Sequence, residues 1–307
     1  MMITKLLLLG CGDIAIRLSK ALSSEDIQCF GMRRDITKLP EHITGIEQDF
    51  SSPQGLTTQI NQGFDIVVMT LVPADRSESA YHQIYVDGLE RIMTAMEEAT
   101  YLPKLVIFVS STSVYAQNHG EWVSEQSPTE PTRYSGQAIA SAEARISRST
   151  LPSCVVRFSG IYGPGRRRLI QQVIDGDRGE KDLGYSNRIH ADDCAGVLAH
   201  LIKRHTKCEP LEKLYLATDS EPVKLKEVKQ WLANVMGLNS PPVNSKSKLA
   251  SDQKSYPQNK NNFDNSYRNN KRCSNKQLLN SGYQFRYPTF REGYTELLKE
   301  DGLLKVK

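Results

Sequence analysis

Six residues near the start of the chain have the types and spacing of a phosphate cradle. Gly10-Cys11-Gly12-Asp13-Ile14-Ala15 fits the pattern G-x-G-x-x-G/A, with alanine at the last small position. Gly10 permits a tight turn, and Gly12 lets backbone amides approach a pyrophosphate. Ala15 is small enough for a helix to pack closely on a strand, and the helix N-terminus entered through Asp13 and Ile14 favours negative charge. About 20 residues further on, an NAD site usually places an acid for the ribose hydroxyl. Here the chain reads Gly31-Met32-Arg33-Arg34. Two guanidinium groups without an acid suit a 2′-phosphate, which they can bind through bidentate, charge-assisted bonds. Asp35 lies past the expected strand end and is a poor replacement for that acid. The chemistry expected is dinucleotide binding, with NADP favoured and NAD as the alternative.

A glycine turn carries weight only between a strand and a helix, so the surrounding elements matter. Ile3 to Leu9 reads as a buried strand and Asp13 to Leu22 as the helix after it. Further strands are expected at Ile27–Met32, Ile46–Phe50, Phe64–Leu71, Lys104–Ser110 and Cys154–Phe158. A long helix should run from Ser79 to Ala99 and another from Ile139 to Ile146. The strands are apolar throughout rather than alternating, as in a parallel sheet covered on both faces. This predicts an α/β fold, a Rossmann-type doubly wound parallel sheet with a smaller C-terminal substrate-binding part. Residues 1–165 would form the dinucleotide-binding domain, with 190–218 returning to it. Residues 166–189 and 219–307 would form the smaller part. The stretch 239–276, rich in Asn, Ser, Lys and Gln, reads as a long solvated loop. A final helix is expected at Arg291–Leu298.

Composition excludes little but sets bounds. The 307 residues suffice for one large domain or two small ones. The balance of 39 basic and 35 acidic residues gives +4, too mild to indicate a nucleic-acid or membrane partner. The apolar start is too short for a signal peptide, and no stretch approaches the roughly 20 apolar residues of a membrane span. The six cysteines include no C-x-x-C pair, so no metal site is expected. The expectation is a cytoplasmic protein with reduced thiols.

Three further patches resemble one family. Ser110-Ser111-Thr112-Ser113-Val114-Tyr115 looks like the end of strand five in extended short-chain dehydrogenases/reductases, the sugar epimerase/dehydratase group. Val155 to Arg166, reading VVRFSGIYGPGR, resembles its strand-six motif, and Asn187-Arg188-Ile189-His190-Ala191-Asp192-Asp193 its later R-I-H-x-D-D motif. The patches stand in family order over nearly the whole chain. The variant glycine pattern and the segment NHGEWVSE are most similar to the atypical, YeeZ-like branch. The resemblance implies that Asp49 and Phe50 sit against the adenine, and that Thr70, Leu71 and Val72 line the cofactor. It implies that Ser110 and Ser111 end a strand beside the nicotinamide and that Thr112 takes the place of the catalytic Ser/Thr. His190, Asp192 and Asp193 would brace the junction between subdomains. The Ser79–Ala99 helix would be available for a dimer interface, which leaves monomer and homodimer open.

One departure matters for chemistry. The family's catalytic pair is Tyr-x-x-x-Lys, in which the ammonium lowers the pKa of a phenol otherwise near 10. The matching region is Tyr134-Ser135-Gly136-Gln137-Ala138, and no lysine occurs between Lys104 and Lys181. Alignment on Glu143 instead puts Ser135 in the tyrosine's place. Three outcomes stay open. Tyr134 works with another cation such as Arg133 or Arg145, Tyr115 acts as the acid, or the site binds cofactor without turnover. The expected activity is that of an NADP-dependent oxidoreductase or epimerase-like enzyme on a carbonyl or hydroxyl of a small polar substrate, nucleotide sugars included. In it Thr112 or Ser111 would bond the substrate oxygen, and Tyr134 or Tyr115 would move the proton. The alternative is a dinucleotide-binding sensor or scaffold that lost catalysis with its lysine.

Overall fold

The computed structural model describes residues 3–52, 54–181, 183–238 and 270–305. In chain order it runs β1 (Thr4–Leu9), α1 (Asp13–Ala21), β2 (Ile27–Arg33), β3 (Ile43–Glu47), α2 (Leu56–Ile60), β4 (Ile66–Met69), α3 (Glu78–His82), a π-helical segment (Gln83–Gly88) and α4 (Leu89–Glu97). Then follow β5 (Leu105–Ser111), β6 (Glu121–Val123), α5 (Tyr134–Ser147), β7 (Ser153–Phe158), β8 (Gly160–Tyr162), α6 (Arg168–Ile174), β9 (Tyr185–Ser186), β10 (Arg188–His190) and α7 (Ala191–Thr206). The chain closes with β11 (Leu214–Ala217), β12 (Val223–Lys224), α8 (Leu225–Val235), β13 (Lys271–Cys273), α9 (Lys276–Asn280) and α10 (Phe290–Glu300).

Seven strands form one parallel sheet in the order β11-β7-β5-β4-β1-β2-β3. The chain leaves β1 in one direction and returns through β4 in the other, so the C-terminal ends of β1 and β4 flank the switch point where such sheets bind ligands. The leucine run explains itself on this sheet. Leu7 and Leu9 join the core under α4 and α5, and Leu6 and Leu8 the core under α1 and α7. Alternation between two covered faces requires every residue of the run to be apolar.

A third cluster lies around α8 and α10. It collects Tyr162, Ile170, Val173, Val228, Leu232, Phe290 and Tyr294. Leu278 of α9 and Tyr283 pack instead with the core under α1 and α7. The outer edge of β11 is covered by side chains. Glu125 accepts a hydrogen bond from the Leu216 amide at 2.8 Å, and the Gln277 amide group donates to the Leu214 carbonyl at 2.6 Å.

Several expected boundaries move. The third strand is Ile43–Glu47, not Ile46–Phe50, because Ile43 and Ile46 pair with Cys29 and Met32 while Asp49 turns to accept from the Ser51 amide. The Ser79–Ala99 helix widens into a π turn at Gln83–Gly88. The helix expected from Ile139 begins at Tyr134. Of the stretch 239–276 read as a solvated loop, 239–269 lies outside the described residues. Residues 271–273 form β13, paired in parallel with β6, with Lys271 and Cys273 buried. A polar composition concealed a strand whose partner lies about 150 residues away in sequence.

Candidate cofactor site and active centre

The glycine turn leaves β1 at Gly10. The Gly10 backbone has φ +74°, and an added Cβ would lie 2.9 Å from the Thr70 carbonyl oxygen. Thr70, at the end of β4, holds the turn from behind, its hydroxyl donating to the Gly10 carbonyl at 3.0 Å. Gly12 caps α1, and a Cβ added there would meet only the Gly10 carbonyl, at 3.7 Å. The space before Gly12 is therefore an open cradle that a side chain would fill, which suits a pyrophosphate. In front of it lies a cleft of about 490 Å³.

Eight of the expected cofactor residues line this cleft, namely Gly10, Gly12, Arg33, Arg34, Asp49, Phe50, Leu71 and Val72. Asp13, Ile14, Ala15, Thr70 and Ser110 are not among its lining residues. Ile14 and Ala15 are buried in the core under α1, as the packing of that helix requires. Cys11 of the glycine motif and Asp35 also line the cleft, and Lys38, Ser51, Ala74, Ala80, Gln83 and Ile84 line it without having been anticipated. Three cations thus stand on its wall, Arg33, Arg34 and Lys38. Arg33 is engaged at one nitrogen, donating to the Cys11 carbonyl at 2.8 Å, so it braces the glycine turn. Asp35 accepts from the Thr37 amide and hydroxyl and pairs with Lys38 at 2.9 Å. These bonds, with the Lys38 ammonium first, hold its carboxyl down at about 2.

The hydroxyl run ends β5 and enters a 3₁₀ turn at Thr112–Val114. Ser111 spends its hydroxyl oxygen accepting from the Ser113 amide at 3.1 Å. Ser110 donates to Glu143 at 2.5 Å, and Glu143 holds Arg157 through bonds of 2.9 and 2.6 Å. Arg157 also donates to the Tyr115 hydroxyl at 2.8 Å and lies 4.9 Å from the Tyr115 ring centre. The Tyr115 hydroxyl itself donates to the Ser124 carbonyl at 2.8 Å. Tyr115 is 4% exposed, and burial pushes its phenol up to about 12 against the pull of Arg157. Of the alternatives left open for the acid, Tyr115 is the one whose hydroxyl both donates and accepts inside a closed network. Glu143 and Arg157 tie α5 to β5 and β7, a role the sequence reading left unassigned.

Tyr134 opens α5 and is 39% exposed. Its hydroxyl donates to the Arg76 carbonyl at 2.5 Å, and its ring stands edge-on to Tyr81. The position of the missing lysine is Ala138, 8% exposed in the core under α4 and α5. Arg145 is occupied by Glu90 and Glu97 on α4, each at 2.8 Å.

The R-I-H-x-D-D motif is built as a joint. His190 caps α7 by accepting from the Asp192 amide and lies between Tyr162 and Tyr287. Burial lowers its imidazole to about 4, so it is neutral. Asp193 accepts from the Tyr283 hydroxyl and from the amides of Arg286 and Tyr287.

Sheet order, glycine turn and this joint together are the parts of an epimerase/dehydratase-type Rossmann protein, and comparison with known proteins agrees. The profile of the RmlD substrate binding domain matches residues 4–302. The chain belongs to that family. A solved structure from Methylobacillus flagellatus, whose assignment as an NAD-dependent epimerase/dehydratase is provisional, is 31% identical with a TM-score of 0.76, over 98% of this chain and 100% of the other. UDP-glucose 4-epimerase of Thermus thermophilus, solved as a complex with NAD, shares the fold at 16% identity and a TM-score of 0.70, over 94% and 96% of the two chains. Among curated proteins, 3beta-hydroxysteroid-dehydrogenase/decarboxylase isoform 1 of Arabidopsis thaliana is 26% identical over 212 residues. That match spans 61% of this chain and 48% of the plant protein. As an RmlD-type family member the chain is an atypical short-chain dehydrogenase/reductase in fold. Among the described residues, no helix is long and apolar enough to cross a membrane.

Proposed function

We propose that this chain is an NADP-dependent oxidoreductase or epimerase-like enzyme acting on a carbonyl or hydroxyl of a small polar substrate, with nucleotide sugars as the leading class. The observation that carries the reading is the cleft over the glycine turn with Arg33, Arg34 and Lys38 on its wall. Those cations suit a 2′-phosphate, and Asp35, the nearby acid, is already committed to Thr37 and Lys38. NADP would supply hydride exchange at a substrate carbon. Thr112 is favoured over Ser111 for the substrate oxygen, since the Ser111 hydroxyl already caps a turn. Tyr134 remains the candidate proton donor. In this reading residues 1–165 and 190–218 hold the cofactor, and 166–189 and 219–307 contribute most of the substrate side, in a cytoplasmic monomer or homodimer.

Fluorescence titration tests the cofactor. NADPH should bind at least about tenfold tighter than NADH, roughly 1.4 kcal/mol. Arg34→Ala with Lys38→Ala should erase most of that preference. Arg33→Ala should weaken both cofactors, because it also removes the bond to the Cys11 carbonyl. Equal affinities in the wild type, or tighter NADH, would overturn the NADP assignment.

A second reading, a dinucleotide-binding sensor without turnover, is favoured by Ala138. The lysine's place is not merely vacated but packed into the core, where an ammonium would lack solvent. NADPH oxidation assayed with keto-sugar nucleotides and simpler carbonyl compounds, together with product analysis of sugar nucleotides incubated with NADP-loaded protein for epimerised or dehydrated species, separates the two. Tight NADPH binding without turnover on any of them selects the sensor.

A further inference from the structure

The glycine turn carries a carboxylate of its own. Asp13 directly follows Gly12 as the first residue of α1. Burial raises its pKa, but the Arg166 and Arg17 guanidinium groups outweigh that and hold it below the ordinary carboxylate range. Asp13 is therefore ionised at neutral pH, at the helix terminus that a pyrophosphate would also use. Two anions at one terminus repel unless a cation stands between them.

The cations on the cleft wall, Arg33, Arg34 and Lys38, are assigned to the 2′-phosphate in the reading above. Arg33 also bonds the Cys11 carbonyl, Lys38 also pairs with Asp35, and Arg17 bonds Asp13 at 2.8 Å but is shared with Asp192 at 2.5 Å. Arg166 reaches Asp13 from the loop after β8, 153 residues away in sequence. That loop is shaped to aim it. The Arg166 amide closes a turn on the Gly163 carbonyl at 2.9 Å, and Gly165 has φ +77°. Gly163 is pressed against α7, where an added Cβ would lie 3.1 Å from the Ala191 Cβ.

We infer that Arg166 is a cofactor-positioning residue, which cancels the Asp13 carboxylate and so opens the glycine turn to an anionic pyrophosphate. The inference rests on the dinucleotide reading above. It makes the loop 163–168 a part of the cofactor site, although that loop belongs to the sequence after β8 and contributes no lining residue to the cleft. Both side chains are about one-third exposed, so solvent screens the effect to a moderate size.

The test is a mutant cycle read by binding, with NADPH affinity from fluorescence and 2′-AMP affinity from displacement of NADPH. 2′-AMP keeps the adenosine and 2′-phosphate but lacks the pyrophosphate. Arg166→Ala should weaken NADPH about tenfold, roughly 1.4 kcal/mol, and leave 2′-AMP within about twofold. Arg166→Lys should recover most of the loss. In an Asp13→Asn background, Arg166→Ala should cost less than about twofold, because the charge to be cancelled is gone. Unchanged NADPH affinity in Arg166→Ala overturns the inference. So does an equal loss for 2′-AMP, which would mean a merely structural role, and so does an undiminished loss in the Asp13→Asn background. A wild-type protein that bound no dinucleotide would instead overturn the cofactor reading, and this inference with it.

Discussion

Gly12 separates folding from binding at a single position. An added Cβ meets only the Gly10 carbonyl, at 3.7 Å, and the Gly12 backbone has a negative φ of −104°. Gly12→Val should therefore fold, with an unfolding midpoint close to that of the wild type, and lose dinucleotide affinity by roughly a hundredfold or more. Unchanged NADPH binding in the folded variant would refute the cradle. The glycine spacing and the two arginines were legible in sequence because each has a mechanism tied to a fixed offset. Lys38 was not, since it reaches the cleft by way of the short turn at Ile36–Lys38. The surroundings of Tyr115 were not legible either, since Arg157 and Ser124 hold its hydroxyl from both sides. Neither partner is close enough in sequence to announce itself.

At the scale of elements, the join between α5 and the turn after β5 sets where Thr112 and Tyr134 stand. Gly136, in the first turn of α5, makes the closest approach. An added Cβ would lie 2.5 Å from the Ser113 carbonyl oxygen and 2.7 Å from the Pro131 Cβ. Alanine normally favours a helix over glycine by about 1 kcal/mol, but overlap with backbone of this kind costs about 1–3 kcal/mol. Gly136→Ala should thus be destabilising on balance, by about 1–2 kcal/mol in denaturant unfolding. An equally stable or stabilised variant would show that the contact yields at no cost. The alternation of strands and helices was readable, because a strand buried on both faces leaves an unbroken apolar run such as Leu6–Leu9. The π turn in the Ser79–Ala99 helix was not, since its apolar face continues through it. β13 was equally hidden, since three residues in a polar stretch carry no period of their own, and only β6 gives them a partner.

For the molecule as a whole, the cluster around α8 and α10 holds an acid that shapes stability against pH. Asp219 is almost fully buried, and burial pushes its carboxyl up to about 7, against the opposing pull of Arg188. A carboxyl that titrates higher in the native state keeps its proton longer there than when unfolded. Its stabilising contribution is complete below 3.8, the ordinary value, and is lost as pH climbs through about 7. Asp219→Asn should match the wild type near pH 4 and exceed it above pH 8 by up to about 4 kcal/mol. Urea unfolding at the two pH values checks this, and a difference that does not vary with pH would contradict it. The edge of the sheet has a different consequence. A parallel strand with bare amides and carbonyls is a template onto which another chain can zip, the first step of a cross-β aggregate. At β11, Glu125 occupies one of those amides and Gln277 one of those carbonyls, two side chains from distant parts of the sequence. Two of the groups that a second copy of this strand would need for pairing are thereby already taken, which weakens the edge as a template.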